Sequence, residues 1–242
     1  MENFILYESN FPKTRIGKDN DGGYVIVELP GEYDYFISGG IEDDVSFEED
    51  LLTKHPNLTC IGFDGTIQSL PNTEKNIQFI KKNLGNTNSN NTTNLLEYMA
   101  GYNDIFLKID IEGHEFRLMP VIIKENYISK IKQLVIEMHS PGDIQLHPNY
   151  YAGLNDIHNE DMLRLIKDIN KTHTLVHFHA NNGPIMQIID GVKLPHVFEL
   201  TFIRNDYVFE KKRNETSLPT NIDMPNIDYK PDYVLTGFPY TI

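Results

Sequence analysis

The sequence predicts an α/β chain with one large domain on a mostly parallel, seven-stranded sheet whose last strand is antiparallel. Three observations carry this prediction. From residue 33 onward, short apolar runs of β type alternate with segments at helical spacing. Glycines and acids stand just after those runs, where parallel α/β sheets bind their ligands. The last two runs have no helical pattern between them, which suits an antiparallel pair closing the sheet.

The elements follow in order. Within 1–30, the turn cluster Lys18-Asp19-Asn20-Asp21-Gly22-Gly23 precedes the β-type run 24–29. Asp-Gly-Gly is hairpin chemistry, so an N-terminal β-ribbon is expected there. The domain proper spans 31–210. Its first strand, 33–38, ends in Gly39-Gly40, and a helix over 46–53 puts Phe47, Leu51 and Leu52 on one face. Strands are expected at 58–63 and 77–80, and a helix over 92–99 with Thr92 or Thr93 as its N-cap. A fourth strand covers 104–111. The helix after it, 115–123, contains Pro120, which is expected to end or kink it. The fifth strand is 132–138, followed by an amphipathic helix over 159–170 and strands at 173–179 and 196–204. Residues 211–242 hold four prolines and little periodicity, and read as an extended tail packed on the domain.

Composition narrows the function. Hydrophobic residues make up 40% of the 242 and charged residues 23%, as in globular domains. No apolar run is long enough to span a bilayer, and the N-terminus lacks a basic, signal-like start, so a cytoplasmic location is expected. Cys60 is the only cysteine and lies in an apolar run, which reads as a buried hydrophobe. The formal net charge of −14 repels phosphate backbones, so neither nucleic acid nor a membrane surface is an expected partner. A neutral or cationic small molecule, or a glycan, fits better.

Ser38-Gly39-Gly40-Ile41-Glu42-Asp43-Asp44 follows the first strand. Adjacent glycines let the backbone turn sharply beside a ligand. The G-x-G-x-x-G fingerprint is absent, and the acids suit a cationic sulfonium better than a pyrophosphate. Asp64-Gly65 follows the second strand, where an acid commonly accepts from ribose hydroxyls. After the fourth come Asp110, Glu112 and Glu115. Asp110 and Glu112 have like parity, so both side chains are expected on one side if the strand continues. Three carboxylates so close need something positive or protic between them.

The segment Lys108-Ile109-Asp110-Ile111-Glu112-Gly113-His114-Glu115 resembles the K-I-D-x-E-G-x-E signature of FkbM-type methyltransferases. The ordered set around it is similar to the branch with methyltransferase-like protein 24 and its microbial and viral relatives. That set includes Arg15-Ile16-Gly17, Asp21-Gly22-Gly23-Tyr24, Ser38 to Ile41, Asp43 to Glu48, Glu137-Met138-His139 and His179-Ala180-Asn181-Asn182. The resemblance runs from Arg15 to about Asp232. It implies a Rossmann-like seven-stranded methyltransferase sheet, S-adenosylmethionine as donor, and a hydroxyl acceptor, often on a sugar. It also implies donor contacts from Ser38, Gly39, Gly40, Glu42, Phe47, Glu48, Asp64, Gly65 and Asp110. Many members end the second strand in Phe-Glu-Pro, whereas this chain has Phe63-Asp64-Gly65.

Methyl transfer to a hydroxyl needs alignment, and a base or metal for the acceptor proton. Asp110, Glu137, His139 and His179 stand at strand ends and are the candidate catalytic groups. Asp110, Glu137 and His139 are also candidate ligands for magnesium or manganese. Asn181, Asn182 and Glu112 are candidates for holding a sugar, nucleotide sugar or glycan. An NAD-dependent sugar enzyme, a metal-dependent hydrolase and a non-catalytic cofactor-binding protein are the competing readings.

Overall fold

The computed structural model describes residues 1–242. An antiparallel ribbon, β1 (Lys13–Ile16) with β2 (Tyr24–Val27), precedes the main sheet. Then come β3 (Tyr35–Gly39), α1 (Ser46–Lys54), β4 (Cys60–Phe63) and β5 (Ile77–Ile80). The two-residue strands β6 (Asn83–Leu84) and β7 (Thr92–Thr93) and the single turn α2 (Leu96–Met99) lead to β8 (Ile105–Ile109). They are followed by α3 (Glu115–Lys124), β9 (Ile131–His139), α4 (Pro141–Leu146), α5 (Asn159–Ile169) and β10 (His173–Ala180). A hairpin of β11 (Met186–Ile189) and β12 (Val192–Pro195) precedes β13 (Val197–Arg204).

The main sheet has seven strands in the order β10-β13-β9-β8-β3-β4-β5. All are parallel except β13, which runs antiparallel between β9 and β10. The last strand of the chain is therefore antiparallel but interior. From β3 the chain winds outward through β4 to β5, then returns to β8 on the other side. That reversal opens a crevice at the carboxyl ends of β3 and β8.

Alternation along the strands makes two cores. Ile37, Leu107, Ile109, Leu134 and Ile136 face the larger one, with Leu118 and Ile122 of α3 and Met162, Leu165 and Ile166 of α5. Phe36, Cys60, Phe106 and Val135 face the smaller one, under α1 and the ribbon. Gln133 ties the ribbon to the sheet by accepting from Val27 N (2.7 Å) and donating to Val27 O (3.1 Å). Cys60 is buried, and burial pushes its thiol pKa up. No helix is long and apolar enough to cross a membrane.

Three local expectations are corrected. Thr92 and Thr93 pair as a strand with Asn83 and Leu84 instead of capping a helix. β-Branched residues favour that state, and Leu95 at φ +67° separates them from the turn that follows. Pro120 sits inside α3 without ending it, on the exposed side where water can replace the missing amide bond. The fourth strand stops at Ile109, so Asp110 and Glu112 lie beyond it.

Both chain ends pack on the β10 end of the sheet. Tyr7 N donates to Leu175 O (3.0 Å), and Lys13 Nζ to Val176 O (2.9 Å) at an irregularity in β10. Tyr7 also bridges to Arg213. Leu218, Leu235 and Tyr240 of the tail lie in the larger core. Buried His177 faces Asp223 at 2.8 Å, and His179 lies between Glu199 (3.3 Å) and Asp232 (3.0 Å).

These contacts predict a pH dependence. Burial alone would lower the His179 pKa, but Glu199 and Asp232 more than offset it and push it up to about 10. Its unfolded value is about 6.5, so the stabilisation is fully present below that pH and is lost as pH rises toward 10. Amide exchange over 211–242 is expected to accelerate between pH 7 and pH 9.5, beyond the intrinsic base-catalysed rate. Asp232→Asn should flatten that excess, and an unchanged profile in the variant would remove the pair from tail docking.

Candidate active site

The site starts from the turn after β3. Gly40 has φ +81°, and a Cβ there would overlap the Asp110 carbonyl oxygen. Glycine is the residue that lets the β3 and β8 ends meet this closely. Asp110 N donates to Gly39 O (2.9 Å), Gly40 N to Phe63 O (3.0 Å), and Lys108 Nζ to Gly40 O (2.7 Å). Over this junction opens a cavity of about 760 Å³. Small-molecule sites usually hold roughly 300–1,000 Å³. Gly40 and Glu42, Phe47 and Glu48 of α1, Asp64 and Gly65, Asp110 and Glu112, and Glu137 of β9 all line it. Nine carboxylates against four Lys or Arg side chains favour a ligand carrying positive charge.

Asp64 organises the turn. Oδ2 accepts from Ile41 N (3.0 Å) and Glu42 N (2.9 Å), and Oδ1 from Thr66 N (2.7 Å) and Thr66 Oγ1 (2.6 Å). Burial raises its pKa, but bonds from Thr66, Glu42 and Ile41 hold it below the usual carboxylate value. Four bonds occupy the lone pairs of a carboxylate, so a ribose hydroxyl would have to share them. Asp64→Ala should weaken adenosylhomocysteine binding by about 1–3 kcal/mol through loss of these bonds. Calorimetry with unchanged affinity would take Asp64 out of the site.

Ser38 and Gly39 do not line the cavity but shape it from behind. Ser38 Oγ donates to buried Glu48 Oε1 (2.5 Å), and Leu84 packs against Gly39. Burial raises the Glu48 pKa, with Lys108 and Ser38 opposing it. Lys108 and Tyr24 escaped assignment from sequence. Tyr24 OH donates to Asp110 Oδ2 (2.7 Å), and Lys108 Nζ lies 3.9 Å from the same oxygen and 5.4 Å from the Tyr24 ring centre. Burial and then Asp110 push the Tyr24 phenol pKa well up, so it keeps its proton and donates. The signal was present in Gly22-Gly23-Tyr24 and in the first residue of the Lys108 segment.

His139 stands behind the cavity wall at the end of β9. Its Nδ1 lies 3.0 Å from Asp143 Oδ2 and 2.6 Å from Tyr151 OH, while Tyr151 OH donates to Asp143 Oδ2 (2.6 Å). Nε2 is 3.2 Å from Glu112 Oε2 and 3.7 Å from Glu137 Oε2. Burial lowers the His139 pKa, yet Asp143 and Glu137 outweigh it and push it up to about 11. Burial and then Asp110 raise the Glu137 carboxyl well above its usual value, with His139 opposing. Asp110, Glu112 and His139 bring ligand atoms within 4.8 Å of one another. Of the groups expected from sequence, Asp110 and His139 are in that grouping, and Glu137 lies beside it, 3.7 Å from His139 Nε2.

Three candidates lie elsewhere. His179 is turned to Glu199 and the tail, away from the cavity. Asn182 accepts from Ile227 N and donates to Ile227 O and Lys230 O, so its amide is spent on holding the tail. Asn181 does not line the cavity, but its Nδ2 donates to Glu137 Oε1 (3.3 Å). Glu42 and Glu112 reach the cavity from left-handed backbone, at φ +51° and +55°. Such conformations in non-glycine residues cost about 1–3 kcal/mol each and cluster at functional sites.

No known protein family profile matches the chain, and no curated protein sequence matches it. Among solved structures, it is similar to the plantazolicin methyltransferase BpumL in complex with a monoazolic desmethylPZN analog and SAH. That match has 10% identity and a TM-score of 0.37 over 73% of this chain and 77% of the other. The complex of the same enzyme with a triazolic analog gives 11% identity and a TM-score of 0.35, over 73% and 78%. Likeness at this level carries no residue assignment.

Proposed function

We propose that this chain transfers a methyl group from S-adenosylmethionine to a hydroxyl of a sugar, nucleotide sugar or glycan. The observation that carries this reading is the anionic cavity at the β3–β8 reversal. The Gly40 turn, Asp110 beside it and Glu137 all line it. A sulfonium with an amino-acid ammonium is the kind of cationic ligand those walls suit. The antiparallel β13 between β9 and β10 and the FkbM-like segment at Lys108 to Glu115 support the same donor.

When bound, the donor supplies an electrophilic methyl on a positively charged sulfur. The chain's own residues do the rest. Gly40 and Asp64 shape the donor seat. Tyr24 and Lys108 fix the Asp110 carboxylate on the wall. Glu137 faces the cavity and takes the acceptor proton at a carboxylate oxygen, with the His139 ring behind it, Nε2 3.7 Å from Glu137 Oε2. Enclosure of both reactants supplies the alignment.

The test pairs calorimetry of adenosylhomocysteine binding with transfer of labelled methyl to a panel of nucleotide sugars and oligosaccharides. Binding with sugar-dependent incorporation is expected. Failure to bind, together with binding of NADH, would overturn the proposal. The Asp110, Glu112 and His139 grouping favours metal-dependent hydrolysis as a second reading, which donor-independent product release would support.

A further inference from the structure

The two ring nitrogens of His139 stand in different surroundings. The residue is 7% exposed, and its Nε2 is buried without a hydrogen-bond partner. Glu112 Oε2 at 3.2 Å and Glu137 Oε2 at 3.7 Å are near it, yet neither has hydrogen-bond geometry. The opposite nitrogen, Nδ1, is clamped by Asp143 and Tyr151. A carboxylate on the far ring nitrogen fixes the tautomer and turns the other nitrogen outward as a donor of its lone pair. This is the usual support of a metal-bound imidazole.

The oxygens around Nε2 complete the pattern. Asp110, Glu112 and His139 offer one atom each within 4.8 Å of one another. Glu137 adds a fourth acid beside them. The one ammonium near Asp110, that of Lys108, is 3.9 Å away and is committed to Gly40 O at 2.7 Å. Glu137 is buried, Asp110 partly so and Glu112 half exposed, and carboxylates gathered this closely around a buried imidazole repel one another unless a cation joins them.

We propose that Asp110, Glu112 and His139 bind one divalent first-row cation through His139 Nε2 and one oxygen from each carboxylate. One imidazole with two carboxylates suits manganese, iron or zinc better than calcium. Three protein donors leave positions open toward the cavity, where an acceptor hydroxyl could be held and acidified. The cation site stands apart from the donor's identity, so it is tested with neither donor nor acceptor present.

The experiment is titration of Mn²⁺ into chelator-stripped full-length protein, followed by loss of the free-ion spin-resonance signal. One Mn²⁺ per chain is expected, with nitrogen coupling from the imidazole in the bound spectrum. Glu112→Gly is the safest variant for folding, because the side chain is half exposed and its φ of +55° suits glycine. It should weaken Mn²⁺ binding at least tenfold, and Asp143→Asn by about 10–100-fold, as for other supporting carboxylates. His139→Ala should remove the nitrogen coupling. Asp190→Asn, remote on the β11–β12 turn, should bind as wild type. No binding at millimolar Mn²⁺ would overturn the proposal. So would binding that survives Glu112→Gly, or a bound spectrum without nitrogen coupling.

Discussion

Gly40→Ala should abolish adenosylhomocysteine binding and lower the melting temperature. The new Cβ would overlap the Asp110 carbonyl oxygen, and backbone on both sides leaves no flexible atom to yield. Left-handed backbone adds about 1–2 kcal/mol for alanine, and overpacking typically adds about 1–3. For a chain of this size, that corresponds to a fall of roughly 5–15 °C. Gly101→Ala is the control, since a Cβ there meets nothing within 4 Å. Scanning calorimetry and ligand titration on both variants check the prediction. A Gly40→Ala protein that binds as wild type would show that the turn does not build the ligand seat.

Glu137→Gln should lower the methyl-transfer rate by about 10²–10⁴-fold, as for loss of a general base. Donor affinity should move by less than about threefold, because the lost interaction belongs to the acceptor's reacting proton. The variant should fold. Glutamine keeps the shape and removes one acid from a wall where burial and Asp110 already oppose ionisation. Single-turnover transfer of labelled methyl measures the rate, and calorimetry the affinity. Equal losses in both would make Glu137 a structural part of the donor seat.

Much of the architecture was legible because it rests on local patterns. Apolar runs and glycines placed every strand of the main sheet, with the third, Ile77–Ile80, matched at both ends. What failed was long-range or conformational. Parity predicted that Asp110 and Glu112 would share a side of a continuing strand. The strand stops, and Glu112 instead reaches His139 through left-handed backbone that periodicity cannot foresee. His179 looked equivalent to His139, since both end a strand. Asp232 reaches His179 from the tail, 53 residues on, whereas Asp143 stands only four residues past His139 but across the turn from β9 into α4, a change of direction that periodicity does not show. Tyr24 was hidden for a related reason. It reaches Asp110 because the ribbon folds back over the sheet, a contact 86 residues long in sequence.

The packing of Tyr7, Lys13 and the tail against β10 has a consequence for solubility. A terminal strand offers unpaired carbonyls and amides to any other chain, and here it is eight residues long. Tyr7 N occupies the Leu175 carbonyl, and the Lys13 ammonium occupies that of Val176 where the ladder is irregular. A hydrogen bond spent, a charge and a kink are the devices that keep one sheet from annealing to its neighbour. A chain cut before Lys211 would lose the tail's share of this cover. It would then be prone to self-association through β10.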